Sequence, residues 1–155
     1  MDCGPTCLKM IAKYFGQTFT LNTLRKLCGK GQQGVTLLGI NRAAEHLGFK
    51  TLPAKLGIEL LVKKASLPCI VHWKGDHYVV VYKIKKGNVY IADPGVGKLK
   101  LTTEQFVEYW CQGSSHGIAL FLEPTDNFHK SIEEEASNNG IRHLIKHLFK
   151  FKRFL

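Results

Sequence analysis

His77-Tyr78-Val79-Val80-Val81-Tyr82-Lys83-Ile84-Lys85-Lys86-Gly87-Asn88-Val89-Tyr90-Ile91-Ala92-Asp93 sets two runs of β-branched and aromatic residues around Lys86-Gly87-Asn88. That is the composition of two strands joined by a tight turn. Folding the hairpin back brings position 77 near position 93, so a histidine and an aspartate meet on one face at its open end. Cys69–Trp73 and Ile118–Leu122 share the β texture, and the C-terminal half therefore reads as an antiparallel sheet. Thr102–Trp110 interrupts it as a helix, with Thr103 the expected cap and Phe106, Val107 and Trp110 on one face. Pro124 closes the domain near residue 125.

Before Pro68 the period is helical. Leu8, Ile11, Ala12 and Phe15 recur at helical spacing, with Pro5 just inside the start and Gly16 just past the end. Cys3 then sits at a helix N-terminus. Thr20–Leu27, capped by Thr20 or Asn22 and closed by Gly29, and Thr36–Leu47, closed by Gly48, read as two more helices. The expectation is an α+β domain with N-terminal helices packed on a C-terminal antiparallel sheet.

The 155 residues amount to about one domain, and 45% hydrophobic with 10% aromatic residues suffice for a sizeable core, which excludes disordered and fibrous architectures. The longest apolar runs, Tyr78–Tyr82 and Ile118–Leu122, fall short of the roughly 20 residues that cross a bilayer, and no signal-peptide pattern opens the chain. The chain as it stands is expected to be soluble. Cysteines at 3, 7, 28, 69 and 111 are odd in number and form no framework, which favours a reducing compartment.

A net charge of +10 would by itself suggest an anionic partner. Half of it, however, comes from Arg142, Lys146, Lys150, Lys152 and Arg153, in a final stretch 141–155 without an acid. Before residue 141 aromatics are not interleaved with basic positions as base stacking requires, and no nucleic acid is expected as partner. In the final stretch Ile141, Leu144, Ile145, Leu148 and Phe149 mark one helical face and Arg142, His143, Lys146, His147 and Lys150 the other. This is the pattern of a basic amphipathic helix suited to an interface.

Thiol attack needs a cysteine ionised near neutral pH, and a helix N-terminus favours the anion through its free N–H groups and dipole. Cys3 has that position. Cys7, Cys28, Cys69 and Cys111 are expected to be small buried hydrophobes. The thiol proton needs an imidazole acceptor held in one tautomer by a carboxylate, the arrangement that His77 and Asp93 offer.

Three motifs, Asp2-Cys3-Gly4-Pro5-Thr6-Cys7-Leu8, His77-Tyr78-Val79-Val80 and Ala92-Asp93-Pro94 with Gly97, resemble in residue and order the C39 or bacteriocin-processing cysteine peptidase domain of bacterial peptidase-containing ABC exporters. The resemblance covers residues 2 to about 124. It implies a papain-like fold and removal of leader peptides after a Gly-Gly pair at the cytoplasmic face of the bacterial inner membrane. By position it implies Cys3 as nucleophile, His77 as general base and Asp93 as orienting acid. It implies no cofactor for this domain, ATP serving the parent transporter. The implied partners are a Gly-Gly leader peptide and the exporter's transmembrane and nucleotide-binding domains. Residues 1–125 would be the peptidase domain. Residues 126–155 would be a linker and basic helix leading toward a transmembrane domain, with 141–155 on an anionic membrane surface.

The family places a Gln upstream of the nucleophile to bind the oxyanion, whereas here only Met1 and Asp2 precede Cys3. Gln17, Gln32 and Gln33 are not at the matching position. Loss of one such donor typically costs about 10²–10³ in turnover, so low activity is expected of this chain. A zinc site from Cys3-x3-Cys7 and His72-x4-His77 is disfavoured because the pairs lie far apart in sequence and Asp93 would have no role. Gly95-Val96-Gly97-Lys98 lacks the spacing of a phosphate-binding loop. A non-catalytic leader-docking relative is the remaining alternative; retention of all three catalytic residue types favours the enzyme.

Overall fold

A computed structural model describes residues 2–29 and 34–129. Three helices come first: α1 (Cys3–Tyr14), α2 (Leu21–Cys28) and α3 (Leu37–His46). Thr20 caps α2 by accepting from Thr23 N–H, and Thr36 caps α3 by accepting from Gly39 N–H, each satisfying an orphan donor of a first turn. Then follow β1 (Phe49–Leu56), α4 (Ile58–Lys64), β2 (Cys69–Trp73), β3 (His77–Lys85), β4 (Asn88–Asp93), β5 (Gly97–Thr102), α5 (Thr103–Cys111) and β6 (Gly117–Pro124).

The strands form one sheet in the order β1-β6-β2-β3-β4-β5, and every neighbouring pair is antiparallel. The sheet is not confined to the C-terminal half. β1 comes from the N-terminal half, where Pro53 obscures it: a residue without an N–H is tolerated because β1 is an edge strand paired only with β6. β5 is a second strand the composition hides, being exposed at all positions but one. Thr102 rather than Thr103 caps α5. Its hydroxyl accepts from Gln105 N–H while the Gln105 side chain accepts from Thr102 N–H, a reciprocal capping box.

Helices cover both faces. One core gathers Leu8, Ile11, Leu24 and Ile40 from α1–α3 against Ile70, Val80 and Leu120. The other gathers Leu61, Phe106 and Trp110 from α4 and α5 against Val71, Val79, Val81 and Ile91. β3 thus buries alternate residues in opposite layers, which explains an apolar run where a half-exposed strand would alternate. Its turn is the two-residue loop Lys86-Gly87, with φ of 50° and 74°, the left-handed pair whose twist suits a hairpin.

Beyond residue 125 the chain still contributes to the first core. Thr125 N–H donates to the carbonyl of Gly48 (3.0 Å), and Phe128 is fully buried against Phe49 with ring centroids 4.5 Å apart. Gly48 has a φ of +100°, and a Cβ there would lie 2.5 Å from Phe128 N, so glycine both ends α3 and admits the returning strap. The sequence-predicted basic helix at 141–155 lies outside the described residues. Phe128→Ala is expected to cost about 3–5 kcal/mol, the usual range for emptying a buried Phe site. The check is a urea melt, in which a chain ending at residue 125 should likewise unfold well before one ending at 130.

Candidate active site

α1 starts at Cys3 because Asp2 leaves helical geometry there (φ −105°, ψ 18°) while its carbonyl already accepts from Thr6 N–H at 2.9 Å. Pro5 falls in the first turn, where a missing N–H costs nothing. Gly4 lets this turn lie close on α3: a Cβ would stand 2.8 Å from Ile40 Cδ1. The carboxylate of Asp2 is held by Arg25 of α2, whose Nε donates to Oδ1 at 2.8 Å. Cys3 is buried among these contacts.

One turn further, Cys7 is fully buried and its Sγ–H donates to the carbonyl of Tyr78 on β3 at 3.4 Å. Burial pushes the Cys7 thiol well up, and negative charge on Cys3 and on Asp93 pushes it further. The Tyr78 hydroxyl is raised by burial and then by Cys3. Cys3 therefore acts electrostatically on the residue next to His77, and Cys7 feels both Cys3 and Asp93.

His77 and Asp93 are in direct contact, Nε2 to Oδ1 at 2.7 Å. The same Oδ1 accepts from Gly95 N–H at 2.8 Å, and Val96 N–H closes the β4–β5 turn onto the Asp93 carbonyl at 3.2 Å. An ionised carboxylate only accepts, so the ring proton of neutral His77 sits on Nε2 and Nδ1 keeps its lone pair. The Asp93 side chain is 9% exposed and that of His77 20%. The two are not directly opposite. Val80 faces Ala92 and Val81 faces Ile91, so the same register would put residue 79 across from Asp93, and the pair meets on the diagonal that long side chains can span. A bulge between Val81 and Lys83 sets this offset.

The remaining cysteines have the environment of core residues: all five thiols are free and buried. Burial pushes Cys28 up to about 11 and Cys69 up to about 12, and raises Cys111. Among the described residues no group of three or more His, Cys, Asp or Glu is placed to hold a metal; the His72 ring lies instead against Tyr78, centroids 5.3 Å apart. Gln17 is buried beyond the far end of α1, a helix about 18 Å long, and Gln32 and Gln33 lie outside the described residues. Two contributors escaped the sequence reading. The Gly95 amide was signalled by Asp-Pro-Gly as a turn, whereas nothing local marks Arg25 as a partner of Asp2.

The chain belongs to the Peptidase C39 family, whose model matches residues 1–127, and is thus a cysteine peptidase domain of papain-like fold. The lactococcin-G-processing and transport ATP-binding protein of Lactococcus lactis subsp. lactis is 39% identical over 141 residues, 88% of this chain and 19% of that protein. The colicin V secretion/processing ATP-binding protein of Escherichia coli is 34% identical over 154 residues, 99% of this chain and 21% of that protein. The chain thus spans about a fifth of the length of these curated relatives. A solved double glycine motif protease from an AMS/PCAT transporter, in complex with the leader peptide, superposes with a TM-score of 0.74 at 31% identity, covering 80% of this chain and 85% of that one. The peptidase domain of Streptococcus ComA, a bi-functional ABC transporter involved in a quorum sensing pathway, gives 0.71 at 37% identity, over 80% and 92%. Among the described residues no helix is long and apolar enough to cross a membrane.

The raised thiols predict a selective alkylation pattern. At pH 8 iodoacetamide should modify Cys3 while Cys7, Cys28 and Cys69 stay protonated and unmodified until urea unfolds the domain, as read by peptide mass mapping. Modification of Cys69 in the folded chain at a rate matching Cys3 would contradict the assigned environments.

Proposed function

We propose that this domain cuts leader peptides after a Gly-Gly pair, with Cys3 as nucleophile, His77 as general base and then general acid, and Asp93 as the group that orients the imidazole. The observation that carries the residue assignment is the 2.7 Å His77–Asp93 contact, beside a strand on which the Cys3 helix is docked. With the ring proton held on Nε2 by Asp93, Nδ1 takes the thiol proton as Sγ attacks the scissile carbonyl. The tetrahedral intermediate collapses to a thioester. The leaving amine departs with the proton from His77, and water, deprotonated by the same ring, then releases the leader's new carboxylate and regenerates the thiol. A pair of residues without side chains lets the substrate backbone approach a sulfur set at a buried helix start. The relatives' names as processing and secretion proteins, and the solved neighbour with its leader peptide, support this substrate class.

Cys3→Ala and His77→Ala should each lower cleavage of a Gly-Gly peptide by roughly 10³-fold or more, as loss of a triad member does. Asp93→Asn should be milder, and Cys7→Ala should stay close to wild type. A Cys7→Ala loss as deep as that of Cys3→Ala would move the nucleophile. Mass spectrometry of the two products identifies the bond cut.

The wider setting follows from the same relatives, which are ATP-binding transport proteins. On this reading the domain works at the cytoplasmic face of the membrane beside transmembrane and nucleotide-binding domains, and residues 141–155 lie on anionic lipid. Each Lys or Arg near such a surface contributes about 1 kcal/mol, screened by salt. The whole chain should float with vesicles of phosphatidylglycerol and phosphatidylcholine at low salt and be released at high salt, whereas a chain ending at 130 should not float. Equal flotation of both chains rejects the membrane assignment.

A further inference from the structure

We infer that Arg25 is a positioning residue for Cys3: its two-pronged hold on the Asp2 carboxylate fixes the first turn of α1 and offsets the negative charge that stands one residue before the sulfur. The inference rests on Cys3 being the nucleophile. A carboxylate at a helix N-cap ordinarily accepts from the first-turn N–H groups, but the Asp2 side chain makes no such cap bond. It is drawn instead to α2, where Arg25 Nε donates to Oδ1 at 2.8 Å and Nη2 to Oδ2 at 2.5 Å. This parallel, two-bond geometry is the one that distinguishes arginine from lysine.

The consequence for Cys3 follows from what competes for the positive end of α1. A carboxylate folded onto that end would occupy the field that favours an anionic sulfur, and a bare carboxylate beside it would repel the same charge. Arg25 removes both effects by taking the charge sideways. Among the described residues Cys3 acts on Cys7 of the same helix and on Tyr78 of β3, and Asp93, with its partner His77, acts on Cys7. Cys7 and Tyr78 are neutral at pH 7, both being pushed upward. Asp2 and Asp93 are each paired with a nitrogen base from another element, Arg25 and His77.

The test uses the whole chain and three variants, Arg25→Gln, Asp2→Asn and the double variant, each checked for an unchanged melting profile. Two rates are read at pH 7: iodoacetamide alkylation of Cys3, followed by mass, and kcat with KM on a synthetic Gly-Gly peptide. Arg25→Gln should slow alkylation and kcat about two- to fivefold, the span of charge effects at accessible helix ends, and should leave KM unchanged. Adding Asp2→Asn to it should restore both rates to near the wild-type level, since the double variant, like the wild type, carries no net charge at this pair. Unchanged rates in Arg25→Gln overturn the inference, and so does a double variant as slow as Arg25→Gln, which would make the pair a structural tie only. Cleavage that survives Cys3→Ala would instead overturn the assignment of the nucleophile; the alkylation arm reads the Cys3 environment in either case.

Discussion

The seating of α1 on β3 holds this site together. Leu8 and Ile11 are fully buried in the same layer as Val80 and Ile70, and Cys7 adds a bond to the Tyr78 carbonyl. Burying each large aliphatic side chain is worth about 1.5–3 kcal/mol, several times what a sulfur hydrogen bond adds, so apolar packing rather than polar contacts sets where the helix start lies. The geometry of the candidate site is then a by-product of a core. Cys3 opens α1, His77 opens β3, and docking one element on the other sets Cys7, one turn into the helix, against the carbonyl of Tyr78 beside His77.

Electrostatics refine what packing places. Asp93 has the narrower environment, bound by the His77 ring and the Gly95 amide through one oxygen and nearly closed to water. Asp2 is about one-third exposed and bound by a guanidinium, so its ion pair is worth less as an energy than as a geometry. Among the thiols the division runs the same way: burial alone accounts for Cys28, Cys69 and Cys111, while Cys7 is pushed up by burial first and then by Cys3 and Asp93.

What could be read from residues alone was what is local. The starts and ends of α1, α2 and α3, the Lys86-Gly87 turn and the meeting of His77 with Asp93 depend on nearest neighbours and strand period, and these were legible. β1 was not, because Pro53 and two lysines break its texture and its stability comes from pairing with β6 more than sixty residues later. β5 was hidden by exposure, having no buried face to impose alternation. The diagonal offset of His77 and Asp93 depends on a bulge that no residue type announces. Arg25 was invisible for a different reason: its partner Asp2 lies 23 residues away on another helix, and any of many basic residues could have served.

The two strands that were hardest to read are also the two edges of the sheet. Open edges invite extended peptides to add as further strands, and a protein whose work is to handle peptide chains is especially exposed to that hazard. Here β1 interrupts its row of amide donors with Pro53, and β5 carries exposed Lys98 and Lys100. Both are common means of discouraging strand addition. An extended chain is thereby discouraged from docking along either edge through backbone pairing alone.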